Sequence, residues 1–237
     1  MLFSSYFDDS DDNTTNLFGV GGFVGPDHAW GMLEGQWLDL LPDGITYFHA
    51  SDCFTGNNEF EPARGFGRQR RIDLIDRLTD LICATDIRLF CRAIDVPKYV
   101  HFAPKYIENN FLGNKYVACF DYDVQDVCRD YMQPHGEPHA IDTGDVCAIF
   151  YEESDYSNSV ARHVNAIRND AALWWHNRVG NATPGTKIGP AGIPLLQVAD
   201  LGAFLGTKYA GNSPNRNIPW QPYWDKPVGC RENLGSR

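Results

Sequence analysis

Asp200 lies within an apolar run, Pro194 to Lys208, long enough for four helical turns, and its helical neighbours are Leu196, Gln197, Ala203 and Phe204. An ionised carboxylate there cannot easily turn to water. Burial without a cation, a metal or a proton would be prohibitively costly. Near the other end of the chain, Leu2–Phe7 reads as a short strand running straight into Asp8-Asp9-Ser10-Asp11-Asp12. A third acidic pair, Glu152-Glu153, follows the apolar run Val146–Tyr151. Carboxylates at two strand ends and on a core helix suggest oxygen ligands converging on a hard divalent cation, Mg²⁺ or Mn²⁺ rather than zinc. Two such metals can activate water and stabilise an in-line phosphoryl displacement. The metal ligands would be Asp8, Asp9, Glu152, Glu153 and Asp200, with Asp8, Asp200, Glu152 and Glu153 as the catalytic candidates. For Asp200 the competing reading is a pair with a buried arginine or with a helix N-terminus. For Glu152 and Glu153 it is a solvent-facing strand end.

The elements that must position these groups follow from periodicity. Leu17–Val24, rich in glycine, reads as a second strand, joined to the first by the polar turn Ser10–Asn16. Pro26-Asp27 opens a helix to about Leu41, with Trp30, Leu33, Trp37 and Leu40 at helical spacing. Ile45–Ala50 reads as a third strand, and Ile72, Ile75, Leu78 and Ile82 as the stripe of a second helix. Ile87–Ile94 is strand-like, residues 97–113 are looser, and Val117, Phe120, Val124, Val127, Cys128 and Tyr131 mark a third helix. Gln133–Gly144 reads as a loop, Val146–Tyr151 as a strand and Ser157–Ile167 as a helix. Trp174 and Trp175 are core candidates, and the tail from about 211 to 237 is aromatic but broken by proline. A hairpin followed by strand–helix alternation predicts a single α/β domain over 1–237 with a mixed sheet. The first three strands are expected to be antiparallel in sequence order, with 87–94 parallel beside the first.

The bulk properties bound the function. The 237 residues are 43% hydrophobic and 22% charged, ordinary for a globular protein. No apolar stretch reaches the roughly 18 residues of a membrane span, and no signal-peptide pattern opens the chain. Seven cysteines without a CxxC pair suggest reduced thiols and a cytoplasmic location. The net charge of −11 is the wrong sign for a general nucleic-acid coat, though a metal-dependent nuclease needs only a local basic patch. Arg64, Arg68, Arg70 and Arg71 could form one, or could simply open a solvated helix balanced by Asp73 and Asp76.

Four segments resemble one family. Phe7-Asp8-Asp9-Ser10-Asp11 is similar to the Asp-Glu-Ser-Gly opening of the domain-of-unknown-function family numbered 3800. Gly21-Gly22-Phe23-Val24 resembles its glycine-bearing second strand. Phe48-His49-Ala50-Ser51-Asp52 resembles its segment around a histidine, and Leu196-Gln197-Val198-Ala199-Asp200-Leu201 its late Gln-x-Ala-Asp signature. The resemblance runs from about residue 5 to residue 209. It implies an RNase H-like mixed sheet flanked by helices. It also implies a divalent-metal-dependent nuclease acting on nucleic acid, with Asp8 as the first-strand carboxylate, Asp200 as the helix carboxylate and Glu152 or Glu153 between them. The chain departs from the family at Asp9 and Asp11, and His49 stands where an RNase H enzyme would often place a carboxylate. Asp52 could approach the site instead. A non-catalytic RNase H-like binding module and a hydrolase of small phosphate esters are the alternatives. His135 and His139 lie in a proline-bearing loop, so their spacing does not place two ligands on a helix face. His163 and His176 have no evident partner in the sequence. No phosphate loop and no nucleophile elbow is present.

Overall fold

A computed structural model describes residues 2–102, 114–128, 146–173, 175–189 and 192–212. Its centre is β1 (Leu2–Asp12), joined through a tight turn to β2 (Leu17–Pro26). Then follow α1 (Asp27–Leu40), α2 (Ala50–Thr55), α3 (Arg68–Cys83), β3 (Arg88–Asp95) and α4 (Val96–Phe102). The remaining elements are α5 (Lys115–Asp126), β4 (Val146–Glu152), α6 (Ser157–Asn169), β5 (Val179–Gly185) and α7 (Leu195–Asn212). The strands form one mixed sheet in the order β3-β2-β1-β4-β5. β1–β2 and β2–β3 are antiparallel, whereas β1–β4 and β4–β5 are parallel. The expected α/β architecture, a mixed sheet flanked by helices, is what forms.

Strand alternation gives β1 two buried faces. Phe7, Phe18, Val20, Phe90, Ile149 and Tyr151 pack under α5 and α6. Tyr6, Phe23, Leu89 and Cys91 pack on the other side with α1, α3 and α7. Helix α7 lies close against β2 because both surfaces carry small residues. A Cβ added at Gly21 would come within 3.0 Å of both the Ala203 backbone and Cys91. That contact sets how deeply Asp200 is sunk, since it is less than one turn from Ala203.

Two expectations about elements are corrected, and one strand, β5, was not foreseen. Ile45–Phe48 is not a strand, and Ala50 opens α2, because α7 captures this segment with side-chain acceptors. The strand at 88–95 pairs antiparallel with β2 at the sheet edge, and β4 takes the parallel place beside β1. The edge strand β5 has a sequence, Val-Gly-Asn-Ala-Thr-Pro-Gly, that lacks strand propensity and is held by pairing with β4. Trp175 is core, as expected. Trp174, Tyr131, His135, Glu137, His139 and the tail from 213 lie outside the described residues. Cys53, Cys91, Cys119, Cys128 and Cys147 are buried and outside any disulfide, whereas Cys83 is disulfide-bonded, against the expectation that every thiol is reduced.

Candidate functional site

The parallel pairing of β1 with β4 builds the first half of the site. Phe7 pairs with Tyr151, so the next residues, Asp8 within β1 and Glu152 at the end of β4, project on the same face where the pairing of the two strands ends. That is the face covered by α7, which carries Asp200. Between these three carboxylates lies the ammonium of Lys187, from the loop joining β5 to α7. Its Nζ is 2.8 Å from Asp8 Oδ2, 2.8 Å from Glu152 Oε2 and 3.4 Å from Asp200 Oδ1. Lys187, Asp8 and Asp200 are buried, and Glu152 connects the cluster with solvent, its side chain 27% exposed.

Helix α7 organises the surroundings through two residues one turn apart. Gln197 Oε1 accepts the backbone N–H of Phe48 at 2.9 Å and Trp37 Nε1–H at 3.3 Å. Its Nε2 donates to the Lys187 carbonyl at 3.1 Å. Asp200 Oδ2 accepts the N–H of Ala50 at 2.6 Å. The Gln-Val-Ala-Asp segment therefore clamps two loops onto the sheet: Gln197 holds both the Phe48 strap and the Lys187 loop, and Asp200 holds the start of α2. Between the two pinned amides sits His49. Its Nδ1 is 2.9 Å from Asp52, which also accepts from Asn58 at 2.8 Å, and its Nε2 is 3.9 Å from Asp200 Oδ1.

The electrostatics follow from one cation among three anions in a buried place. Burial lifts Asp8 well above the usual carboxylate range, against the pull of Lys187 and with the help of Asp200 and Glu152. Burial also raises Asp200, opposed by Lys187 and by His49. Burial alone would lower Lys187, but the charges of Asp8, Asp200 and Glu152 prevail and hold it above its ordinary value, so it stays protonated. One ammonium neutralises one carboxylate, and a second buried carboxylate is cheaper as the acid. Burial therefore favours the acid form of Asp8 and Asp200, while Lys187 keeps its own proton.

The expected carboxylates Asp8, Glu152 and Asp200 do come together. Glu153 does not: it is exposed, and its backbone N–H is bound to the Gly185 carbonyl at 2.7 Å. Asp9 points to the other side of the sheet by alternation, and burial, with the charges of Glu152 and Asp11, lifts it to about 6. The competing reading of Asp200 is met in part: its partners are a lysine and the amide opening α2, with no arginine among them. Lys187 was missed, because a lysine in a Gly- and Pro-flanked loop carries no periodic signal. The metal-binding expectation is corrected on the same geometry. The ammonium takes the position where a cation shared by Asp8, Glu152 and Asp200 would sit. Among the described residues no group of three His, Cys, Asp or Glu side chains is placed to hold a metal ion. Of the arginine patch, Arg71 is engaged with the Cys53 and Phe54 carbonyls, and Arg70 lies over Phe66. Outside the site, His163 Nε2 meets Asp121 at 2.6 Å and His176 Nδ1 meets the Leu173 carbonyl at 2.6 Å. No helix among the described residues is long and apolar enough to cross a membrane.

No family model matches the chain. Three curated relatives share one name, light-independent protochlorophyllide reductase, in each case the subunit designated B. Over 177 residues, 73% of this chain and 29% of the relative, it is 30% identical to the protein of that name from Chloroherpeton thalassium. It is 39% identical over 85 residues to the one from Chlorobium phaeobacteroides strain DSM 266, covering 34% of this chain and 16% of the relative. With the Chlorobium phaeovibrioides protein it shares 31% identity over 115 residues, 46% of this chain and 20% of the relative. The chain thus spans less than a third of the length of each of these relatives. Their name corrects the expectation of a nuclease or phosphate-ester hydrolase: they are named as subunits of a reductase.

Proposed function

We propose that the Lys187 cluster is a general acid–base site, and that it donates a proton in a reduction of the kind for which the relatives are named. The observation that carries this reading is the ammonium of Lys187, 2.8 Å from both Asp8 and Glu152 and 3.4 Å from Asp200. A two-electron reduction of an organic substrate takes up two protons, and buried carboxyl groups whose surroundings favour the acid form are suited to deliver them. Asp8 and Asp200 retain the proton because they are buried. Lys187 stabilises whichever carboxylate has just lost it. Glu152, at the solvent edge, is the member a substrate would meet. Electrons come from a donor outside this chain, and the partial similarity to proteins named as reductase subunits supports this reading.

The test is a chimera in which this chain replaces the matching segment of the Chloroherpeton protein, assayed for protochlorophyllide reduction with its companion subunits. Retained activity that falls about a hundredfold with Lys187→Met is the expected result. An active chimera indifferent to that change overturns the acid–base role. A folded but inactive chimera overturns the link to reduction.

A further inference from the structure

Between the buried cluster and solvent stands a half-exposed histidine with both ring nitrogens facing carboxylates. We propose that His49 is a proton relay, exchanging protons with water and passing them to Asp200, an inference that rests on the acid–base reading of the Lys187 cluster.

Three features of the geometry support it. First, His49 Nδ1 is 2.9 Å from Asp52, and Asp52 is itself fixed by Asn58 at 2.8 Å. An Nδ1–H donated to that carboxylate leaves Nε2 as the basic nitrogen. Second, Nε2 is 3.9 Å from Asp200 Oδ1, within ion-pair range but longer than a hydrogen bond. The ring is 34% exposed, so the same nitrogen can take a proton from water and then close on the carboxylate. Third, the backbone that carries the ring is anchored beside the cluster, because the amides on either side of it, Phe48 and Ala50, are bound by Gln197 and Asp200. The groups around the ring are Tyr47 beside it, Asp52 and Asn58 on the solvent side, and Asp200 and Lys187 on the buried side. The carboxylate of Asp52 is held below its usual range. Its partial burial is outweighed by hydrogen bonds from Asn58 and His49 and by the nearby positive charge, so it stays ionised to support an imidazolium.

The step is a proton transfer with no change in electron count. Neutral His49 takes a proton from water at Nε2 and becomes imidazolium, paired with Asp52. Nε2–H then transfers to Asp200 Oδ1, and the ring returns to its neutral, Nδ1-protonated form. From Asp200 the proton is shared through the Lys187 ammonium with Asp8 and Glu152. Glu152 is the competing entry, since it too reaches solvent.

The experiment reads proton exchange directly, without a substrate. The Lys187 ammonium of the purified chain is observed by ¹⁵N NMR, assigned by its loss in Lys187→Met, and its hydrogen exchange with water is measured near neutral pH. His49→Gln should slow that exchange at least about tenfold, and free imidazole should restore it. Asp52→Asn, which keeps the ring in place and weakens the imidazolium, should slow it less. Glu152→Gln, which alters a direct partner of the ammonium, should change it less than His49→Gln does. Unaltered exchange in a folded His49→Gln protein overturns the relay, as does exchange that depends on Glu152 instead. An inactive chimera alongside His49-dependent exchange would instead defeat the reductase reading and leave the relay standing.

Discussion

A lysine at the centre of three carboxylates answers the question that Asp200 raises. Its charge is compensated by Lys187, and its second oxygen is satisfied by the Ala50 amide. The pairing is one-sided in energy: removing one member strands the others. Lys187→Met should destabilise the protein by about 3–5 kcal/mol at neutral pH, read from urea denaturation. The double variant Asp8→Asn/Lys187→Met should recover more than half of that loss, since it removes the most deeply buried partner with it. Recovery of none would show that Glu152 and Asp200, rather than Asp8, bear the stranded charge. The same geometry implies that Mn²⁺ leaves the wild-type melting temperature unchanged, because the ammonium already takes the shared position; a concentration-dependent rise would contradict this. Asp8, Asp200 and one of the paired glutamates were legible in the sequence, as acids at strand ends and on an apolar helix. The cation they share was not. Lys187 lies two residues beyond an edge strand that the sequence does not announce, and only tertiary pairing puts it there.

The elements show the same division between local and tertiary signal. β1, β2, α1, α3, β4 and α7 were legible because each carries a sustained period and punctuated ends. The 45–50 segment was misread because its apolar alternation reflects a strap lying under α7. Its amides are satisfied by Gln197 and Asp200 side chains rather than by a neighbouring strand. Gln197 is the element-scale hinge pin of the site, bound to Trp37, Phe48 and Lys187 at once. Gln197→Ala leaves the Phe48 amide buried and unpaired and frees the Lys187 loop, so it should cost about 2–4 kcal/mol. Amide exchange at Phe48 should accelerate more than exchange in β3; equal acceleration at both would mean a global loss, with no specific clamp. Gly21, which faces Ala203, is one of the glycines that let helix α7 approach β2 closely. Gly21→Val should therefore cost about 1–3 kcal/mol by overpacking. A neutral result would show that the helix shifts freely away from the sheet.

Across the whole molecule, ionisable groups are shifted in opposite directions, and their sum sets how stability depends on pH. Asp8, Asp9, Asp200 and Asp123 are raised, chiefly by burial, Asp9 to about 6. A raised carboxyl binds its proton more tightly folded than unfolded. Its contribution is fully present below the unfolded value, near 3.8 for aspartate, and is lost as pH rises through the folded value. Asp12 goes the other way: despite its burial, hydrogen bonds from Thr14, Thr15 and Lys208 bring it down to about 2. Its contribution is present above the unfolded value and is lost as pH falls toward 2. Asp52 is lowered as well and acts in the same sense. These opposing slopes place the stability maximum near the unfolded carboxyl value, at about pH 4, with a decline toward pH 8. The net charge of −11 adds self-repulsion on the alkaline side, and salt screens that part alone. Urea denaturation from pH 3 to 9, at low and high salt, should show a decline that begins above about pH 4 and that salt reduces but does not abolish. Asp9→Asn separates the two causes. At pH 8 it should stabilise the protein by about 1–2 kcal/mol, the full shift discounted for the residue's partial exposure. At pH 4 the same change should have little effect, because Asp9 is then already protonated in the folded chain. A stabilisation of equal size at both pH values would assign the gain to altered packing at the end of β1, and the alkaline decline would then belong to the Lys187 cluster and Asp123.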